Sequence, residues 1–100
     1  MFVLITYDVA TSEPGRVPSG RRLRRVAKLC ESYGIRVQKS VFECQLSEKE
    51  WVLLKHRLIQ SIDPIQDSLR FYFLNEKDAH RIEHYGINKP PDIQYDTLIV

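Results

Sequence analysis

The sequence has little of several features that would assign it to a specialised class of protein. It holds two cysteines and four glycines in 100 residues. Cys30 and Cys44 form neither a Cys-x-x-Cys pair nor a disulfide framework, so we expect free thiols in a reducing compartment, with Cys30 buried. The glycines are scattered and form no phosphate-binding loop. No apolar run approaches the roughly 20 residues of a membrane span, and the apolar start lacks the basic segment of a signal peptide. A cytoplasmic protein without a membrane partner is expected.

Net charge is also small, at +2 at pH 7, so the total does not indicate a polyanionic partner. The distribution of charge is more informative, because one short stretch contains Arg16, Arg21, Arg22, Arg24, Arg25 and Lys28. A locally basic surface attracts phosphate even when the whole molecule is nearly neutral. The alternative is a solvated helix face, which most surface helices have.

Hydrophobic periodicity predicts an α+β domain. The predicted elements are a strand at Phe2–Tyr7, a loop over Thr11–Gly20, a helix over Arg21–Tyr33, two strands within Ile35–Leu46, a helix between Ser47 and Pro64, a strand at Leu69–Leu74 and a short helix at Glu76–Tyr85. A linker at Asn88–Pro91 and an apolar strand at Tyr95–Val100 complete the chain. One sheet backed by two helices is a ferredoxin-like βαββαβ sandwich. We expect a single domain with a core over about residues 1–85. The extension over 86–100 has a spare strand, which a partner protomer's sheet edge can accept.

The helix boundaries have recognisable signals. Ser19 is a predicted N-cap, Gly34 a predicted C-terminal stop, and Ser47 with Glu50 a capping box. The predicted buried faces are Leu23, Val26, Ala27 and Cys30 in the first helix and Trp51, Leu54, Leu58 and Ile62 in the second. Both sets follow the spacing of an amphipathic helix.

Four segments match a known family in order along nearly the whole chain. They are Val3-Leu4-Ile5-Thr6-Tyr7-Asp8-Val9, Arg21-Arg22-Leu23-Arg24-Arg25-Val26-Ala27, Tyr33-Gly34-Ile35-Arg36-Val37-Gln38-Lys39-Ser40-Val41-Phe42-Glu43 and Asp67-Ser68-Leu69-Arg70-Phe71-Tyr72. Together they resemble the small CRISPR-associated endonuclease of the spacer-acquisition machinery, the Cas-two family. The run from Arg36 to Glu43 is the most specific part of this resemblance.

The resemblance implies a ferredoxin-like homodimer in which the C-terminal strand joins the partner's sheet. It implies a metal-dependent nuclease on single-stranded RNA or double-stranded DNA, with Mg²⁺ or alternatively Mn²⁺, that bridges two dimers of the Cas-one integrase. Asp8 is the motif-matched catalytic and metal-binding residue. The nucleic-acid-binding residues that the motifs and the basic stripe indicate are Tyr7, Arg21, Arg25, Arg36, Ser40 and Phe42.

Alternatives to these roles remain open. Asp8 is also a plausible turn-forming carboxylate, and one carboxylate is a poor Mg²⁺ site, so a metal shared by two Asp8 residues across a two-fold axis is the better hypothesis. Phe42 is also a candidate core residue, as most apolar strand residues are. His80 and His84 lie at i and i+4 but lack the His-Glu-x-x-His order and do not close a zinc site. Besides a nuclease, the chain could be a non-catalytic scaffold that holds DNA between integrase dimers with Asp8 structural, or, more remotely, a ribonuclease toxin.

Overall fold

The computed structural model of the protein describes residues 1–10 and 19–87. Its elements are β1 (Phe2–Asp8), α1 (Ser19–Tyr33), β2 (Gly34–Gln38), β3 (Val41–Gln45), α2 (Glu48–Ser61), β4 (Ser68–Leu74) and a 3-10 helix (Glu76–Arg81). The strands form one sheet in the order β2-β3-β1-β4, with every neighbouring pair antiparallel. This order confirms the predicted ferredoxin-like α+β fold. The predicted linker at 88–91, the strand at 95–100 and most of the loop over 11–20 lie outside the described residues.

Both helices pack on one side of the sheet. Along β1, Val3, Ile5 and Tyr7 are buried in the core with residues of α1 and α2, because alternate residues of a strand point to opposite faces. On the other side, no element of residues 1–10 and 19–87 covers the sheet. We call this side the open face; its residues on β1, β3 and β4 include Leu4, Thr6, Asp8, Val41, Glu43, Arg70 and Tyr72. Gln45, Ser68 and Leu74 lie on the same side, as does Phe2, which is buried.

The buried face of α1 differs from the predicted one. Arg22, Val26 and Cys30 are buried, whereas Leu23, a predicted core residue, is 36% exposed. The prediction for Leu23 was wrong because the sequence pattern treats every arginine as a surface residue. In the structure, the helix turns Arg22 inward to meet a buried carboxylate.

That carboxylate is Asp67, just before β4. Arg22 Nε donates to Asp67 Oδ2 over 2.8 Å, and both side chains are almost fully buried. Asp67 also accepts hydrogen bonds from the backbone N–H groups of Ala10, at 3.0 Å, and Asp63, at 2.8 Å. Burial by itself would raise the pKa of Asp67, but the hydrogen bonds from Arg22 and the two backbone groups outweigh it and lower the pKa. The pair ties α1 to the end of β1 and the start of β4.

Gly34 follows the end of α1, as predicted, but it does not act as the predicted helix C-cap. The helix ends at Tyr33 as expected, but Gly34 is the first residue of β2 and lacks the left-handed backbone of a C-terminal cap. A Cβ at this position would meet the Cys44 sulfur and lie 2.6 Å from the carbonyl oxygen of Glu43. The glycine therefore permits the close approach of β2 to β3.

The remaining boundaries are largely as predicted. Ser47 Oγ accepts from the Glu50 N–H at 3.1 Å and Glu50 returns the bond to the Ser47 N–H at 2.9 Å, which confirms the capping box. Helix α1 begins at Ser19, so the predicted cap lies inside the first turn. The helix predicted over Glu76–Tyr85 is a 3-10 helix that ends at Arg81 and buries no residue. Without an apolar face to pack, this segment has little to stabilise a longer α-helix.

The two cysteines are free and buried, as predicted for Cys30. Burial raises the pKa of each thiol to about 12. Both therefore act as small apolar core residues rather than reactive groups. Within the described part of the chain, neither the length nor the hydrophobicity of any helix suffices to cross a membrane.

Replacement of Asp67 by Asn is expected to lower the free energy of unfolding by about 3–5 kcal/mol at neutral pH, since Arg22 would be buried without its partner. Because the folded pKa of Asp67 is lowered, its stabilisation is complete above the unfolded value of about 3.9 and is lost as the pH falls toward the folded value. Urea unfolding of both proteins between about pH 3 and pH 7 measures this difference.

The control is Asp78→Asn, which removes the carboxylate of a surface pair with Arg81 at 3.7 Å. Surface pairs contribute about 0–1 kcal/mol. A difference between wild type and Asp67→Asn that stays constant across this pH range would contradict the assignment.

Candidate metal and nucleic-acid site

Asp8 is the last residue of β1 and is exposed. It lies opposite Ser68 of β4, and strand alternation places its side chain with Thr6 on the open face. Among residues 1–10 and 19–87, no side chain forms an ion pair or a hydrogen bond with its carboxylate. Asp8 therefore presents an oxygen ligand to solvent on the uncovered side of the sheet.

The buried ion pair fixes the backbone directly beyond Asp8. The Ala10 N–H is bound by Asp67, and Arg22 Nη2 donates to the Ala10 carbonyl oxygen over 3.5 Å. Asp8 is thus held by the strand ladder on one side and by an anchored residue on the other. Arg22 and Asp67 both fall inside segments that carry the family resemblance, but an arginine within an arginine-rich run gave no sign that it is buried.

Tyr7 and Ser40 connect the end of β1 to the turn between β2 and β3. The Tyr7 N–H donates to the Ser40 carbonyl oxygen at 3.2 Å, and the Tyr7 hydroxyl donates to the Lys39 carbonyl oxygen at 3.3 Å. Burial raises the pKa of Tyr7, against an opposing hydrogen bond with Arg36. The phenol is 6% exposed, so Tyr7 orders the turn rather than offering its ring to a ligand.

Phe42 is fully buried on the helix-covered side of the sheet. Its ring stacks with Tyr7 at a centroid distance of 6.2 Å, and the Arg36 guanidinium lies 5.0 Å from its centroid. Arg36 also pairs with Glu31 at 3.6 Å and is about half exposed. Phe42 has no surface on which a base could stack; it positions Arg36 instead. Arg36 and Phe42 occupy the sheet face opposite to Asp8.

Arg21 and Arg25 are exposed on the outer surface of α1. No carboxylate of the described residues pairs with either of them. The predicted site residues therefore fall into three regions rather than one: Asp8 on the open face, the Tyr7, Ser40, Phe42 and Arg36 group around the β2–β3 turn, and the two arginines of α1.

The described part of the chain does not by itself form a complete metal site. No group of three His, Cys, Asp or Glu side chains within the described ranges could hold an ion. The exposed Asp8 carboxylate nevertheless has the hard oxygen chemistry that Mg²⁺ and Mn²⁺ prefer. Asp8 fits the role of a half-site that a second copy would complete. His80 and His84 are exposed after β4, where His84 contacts the Ile87 carbonyl oxygen.

The architecture defines a small ferredoxin-like domain with an exposed carboxylate at the end of its first strand. A family model described as CRISPR associated protein Cas2 matches residues 1–82. The chain belongs to this family.

Named relatives and solved structures agree with this assignment. The chain is 52% identical over 101 residues to the CRISPR-associated endoribonuclease Cas2 of Chlorobaculum tepidum, with 100% of both chains covered. It is 46% identical over 99 residues to the CRISPR-associated endonuclease Cas2 of Halalkalibacterium halodurans, with 99% of both covered. The crystal structure of Streptococcus pyogenes Cas2 superposes with a TM-score of 0.74 at 52% identity, covering 86% of this chain and 100% of that one. A hypothetical protein from Thermus thermophilus gives a TM-score of 0.64 at 34% identity, covering 89% and 95%.

Truncation of Phe42 to Ala is expected to lower the free energy of unfolding by about 3–5 kcal/mol, because it leaves a cavity in the core. The milder Phe42→Leu variant should lose less stability and bind nucleic acid with the affinity of the wild type. Urea unfolding and fluorescence anisotropy with a labelled oligonucleotide measure the two quantities.

Phe73→Leu, at a phenylalanine that is 59% exposed, is the control and should lose little stability. A Phe42→Leu variant with unchanged stability and weakened nucleic-acid binding would contradict the core role.

Proposed function

We propose that the chain acts in CRISPR spacer acquisition as a homodimeric, divalent-metal-dependent endonuclease in which two Asp8 carboxylates share one ion. The observation that supports this most directly is the position of Asp8 on the open face, which no described element covers. The printed names of relatives, endoribonuclease and endonuclease, support nuclease chemistry.

A second copy of the chain is the proposed occupant of the open face. Leu4 and Val41 are only partly buried there by their own chain, and the aromatic ring of Tyr72 is 42% exposed. Glu43 and Arg70 lie on either side of the central strand β1. A two-fold interface presents the same patch twice, so each Glu43 could meet the partner's Arg70. Since β1 is central in the sheet, such pairing would bring the two Asp8 residues to the same interface.

The two Asp8 carboxylates would supply protein ligands to Mg²⁺ or Mn²⁺, with water and substrate phosphate oxygens completing the shell. When bound, the ion would polarise the phosphodiester and help to activate water. The chain's own contribution is to hold each carboxylate rigidly through the anchored Ala10 segment. The exposed arginines, Arg21, Arg25 and Arg36, would contact phosphates of single-stranded RNA or double-stranded DNA without reading sequence. The CRISPR-associated integrase is the proposed protein partner.

One observation favours a second candidate function, a non-catalytic scaffold that holds DNA between integrase dimers. Within the part of the chain that the structure describes, Asp8 does not belong to any group of three or more His, Cys, Asp or Glu side chains that could hold a metal ion. No general base besides Asp8 is evident there. In the scaffold, Asp8 would be a structural residue at the end of β1.

Thr6→Arg is expected to convert a dimer into a monomer. It places two like charges on the open face, where they would be desolvated and close to each other in a two-fold interface. Sedimentation analysis of the wild type and the variant measures the change.

Val52→Arg introduces the same side chain on α2, at a residue that is 66% exposed, and should remain dimeric. A monomeric wild type, or a dimeric Thr6→Arg protein, would contradict pairing through this face.

Asp8→Asn is expected to reduce Mg²⁺-dependent cleavage by at least about 100-fold, since metal-ion stabilisation of a transition state is worth several kcal/mol. Nucleic-acid affinity and thermal stability should remain those of the wild type. The same variant is tested for spacer acquisition in cells that carry the integrase and a repeat array.

Asp78→Asn is the control and should cleave normally. Lost cleavage with intact acquisition would favour the scaffold over the enzyme. Undiminished cleavage by Asp8→Asn would rule out Asp8 as the metal-binding residue.

A further inference from the structure

The two helices form a groove on the side of the molecule away from the open face. Arg25, Lys28 and Leu29 of α1 and Arg57 and Gln60 of α2 line it, and it has a volume of about 510 Å³. We call it the interhelical groove. It is separate from Asp8, because the sheet lies between the helices and the open face.

The described part of the chain does not neutralise the charges of the interhelical groove. Arg25, Lys28 and Arg57 are exposed, and in the described ranges none of them has an ion-pair partner. Among the described residues, no acidic side chain lines the groove. In contrast, Arg22 and Arg36 each contact a carboxylate. Three uncompensated cations around one concave surface create a positive potential that attracts an anion.

The hydrogen-bond donors that line the interhelical groove indicate which kind of anion it can bind. The hydroxyls of Ser32 and Ser61, which also line the groove, donate to the carbonyl oxygens of Lys28 at 2.9 Å and Arg57 at 2.7 Å. Their hydrogens are therefore already used, and the donors left for a ligand are the cationic side chains and the Gln60 amide. Such a set suits a ligand that only accepts hydrogen bonds, as the oxygens of a phosphodiester do.

An acidic peptide fits the groove less well. Such segments usually bind through apolar anchors as well as charge, and Leu29 is the one apolar side chain among the lining residues that the structure describes. A sugar–phosphate backbone requires no apolar pocket. Three cationic side chains beside a single apolar side chain thus favour a nucleic acid.

The basic residues of α1 continue the positively charged surface of the groove along the helix. Arg21, Arg24, Arg25 and Lys28 are all exposed on α1. From Arg21 to Lys28 the helix rises by about 10 Å, which is about three nucleotide steps at 3.4 Å each. The surface is therefore long enough to follow a strand rather than to hold a single phosphate.

We propose that the interhelical groove binds the sugar–phosphate backbone of a nucleic-acid strand, without reading its bases, on the side of each protomer opposite to Asp8. The choice of nucleic acid as ligand rests on the proposed function. A dimer paired through the open face would carry two such grooves, both facing outward. The groove that binds the nucleic-acid strand would then be physically separate from the metal site.

The experiment measures the affinity of the full-length chain for fluorescein-labelled single-stranded RNA and duplex DNA by anisotropy over a series of salt concentrations. Two unrelated sequences of each are used. The test protein is the double variant Lys28→Gln/Arg57→Gln. The charge-matched control is Lys49→Gln/Lys55→Gln, at two exposed lysines of α2 that do not line the groove. Circular dichroism verifies that each variant is folded.

Loss of two phosphate contacts is expected to reduce the slope of log K against log salt by about 1.4 for the single strand and about 1.8 for the duplex. Affinity should fall equally for unrelated sequences. The control should keep the wild-type slope, and the charge-retaining variant Lys28→Arg/Arg57→Lys should largely restore it.

Other outcomes would overturn the proposal in distinguishable ways. An unchanged slope in the double variant, with Asp8-dependent cleavage intact, would eliminate the groove and leave the proposed function standing. A sequence-selective loss would contradict backbone binding. A double variant that loses binding to a labelled poly-glutamate peptide but keeps its nucleic-acid affinity would assign the groove to an acidic protein partner. A wild-type chain that binds neither RNA nor DNA would remove the groove and the proposed function together.

Discussion

The buried contact between Arg22 and Asp67 is the interaction on which the geometry of this domain most depends. It joins the first helix to the segment before the last strand, and Asp67 also binds the backbone of Ala10 and Asp63. Two charges in a core are tolerated only when their hydrogen bonds are satisfied. Here Asp67 accepts four hydrogen bonds, two from Arg22 and one each from the backbone N–H groups of Ala10 and Asp63. The pair therefore fixes the rotation of α1 about its axis and holds the segment that follows Asp8. The Arg22–Asp67 salt bridge thus helps to set the position of the Asp8 carboxylate, although Asp8 is not part of the bridge.

The sheet divides the surface chemistry of the chain between two sides. Asp8 lies on the open face with partly exposed apolar residues, whereas the cations of the interhelical groove lie on the outer side of the helices. Tyr7 and Asp8 are adjacent in sequence and point to opposite faces, because a strand alternates. Residues that stand together in a motif are therefore separated in space. Tyr7, Ser40 and Phe42 act through packing and backbone hydrogen bonds, and Arg36 is the exposed member of their group.

Much of the fold follows from local signals in the sequence. Ser47 and Glu50 specify the start of α2 by contacts within one turn. In β4, the alternation of Phe71 and Phe73 with Arg70 and Tyr72 identifies the side that faces the helices. Local signals failed where a distant partner decides the outcome. The spacing of apolar residues assigned Leu23 to the core. Arg22 is buried instead, because it pairs with Asp67, which lies 45 positions further along the chain. Gly34 has the sequence position of a helix cap. The structure shows that glycine is required there because a Cβ atom would clash with Cys44 and Glu43 of the next strand.

The sequence by itself determined the order of elements, the membership of the family and the identity of Asp8 as the candidate metal ligand, because each follows from short segments whose patterns can be recognised without knowing how the chain folds. Only the tertiary structure decided which side of the sheet Asp8 occupies, that Phe42 is inaccessible, and that cations from α1 and α2 share one groove. These features depend on the packing of helices against the sheet and of the helices against each other. Such packing brings together residues whose spacing along the chain carries no periodic signal.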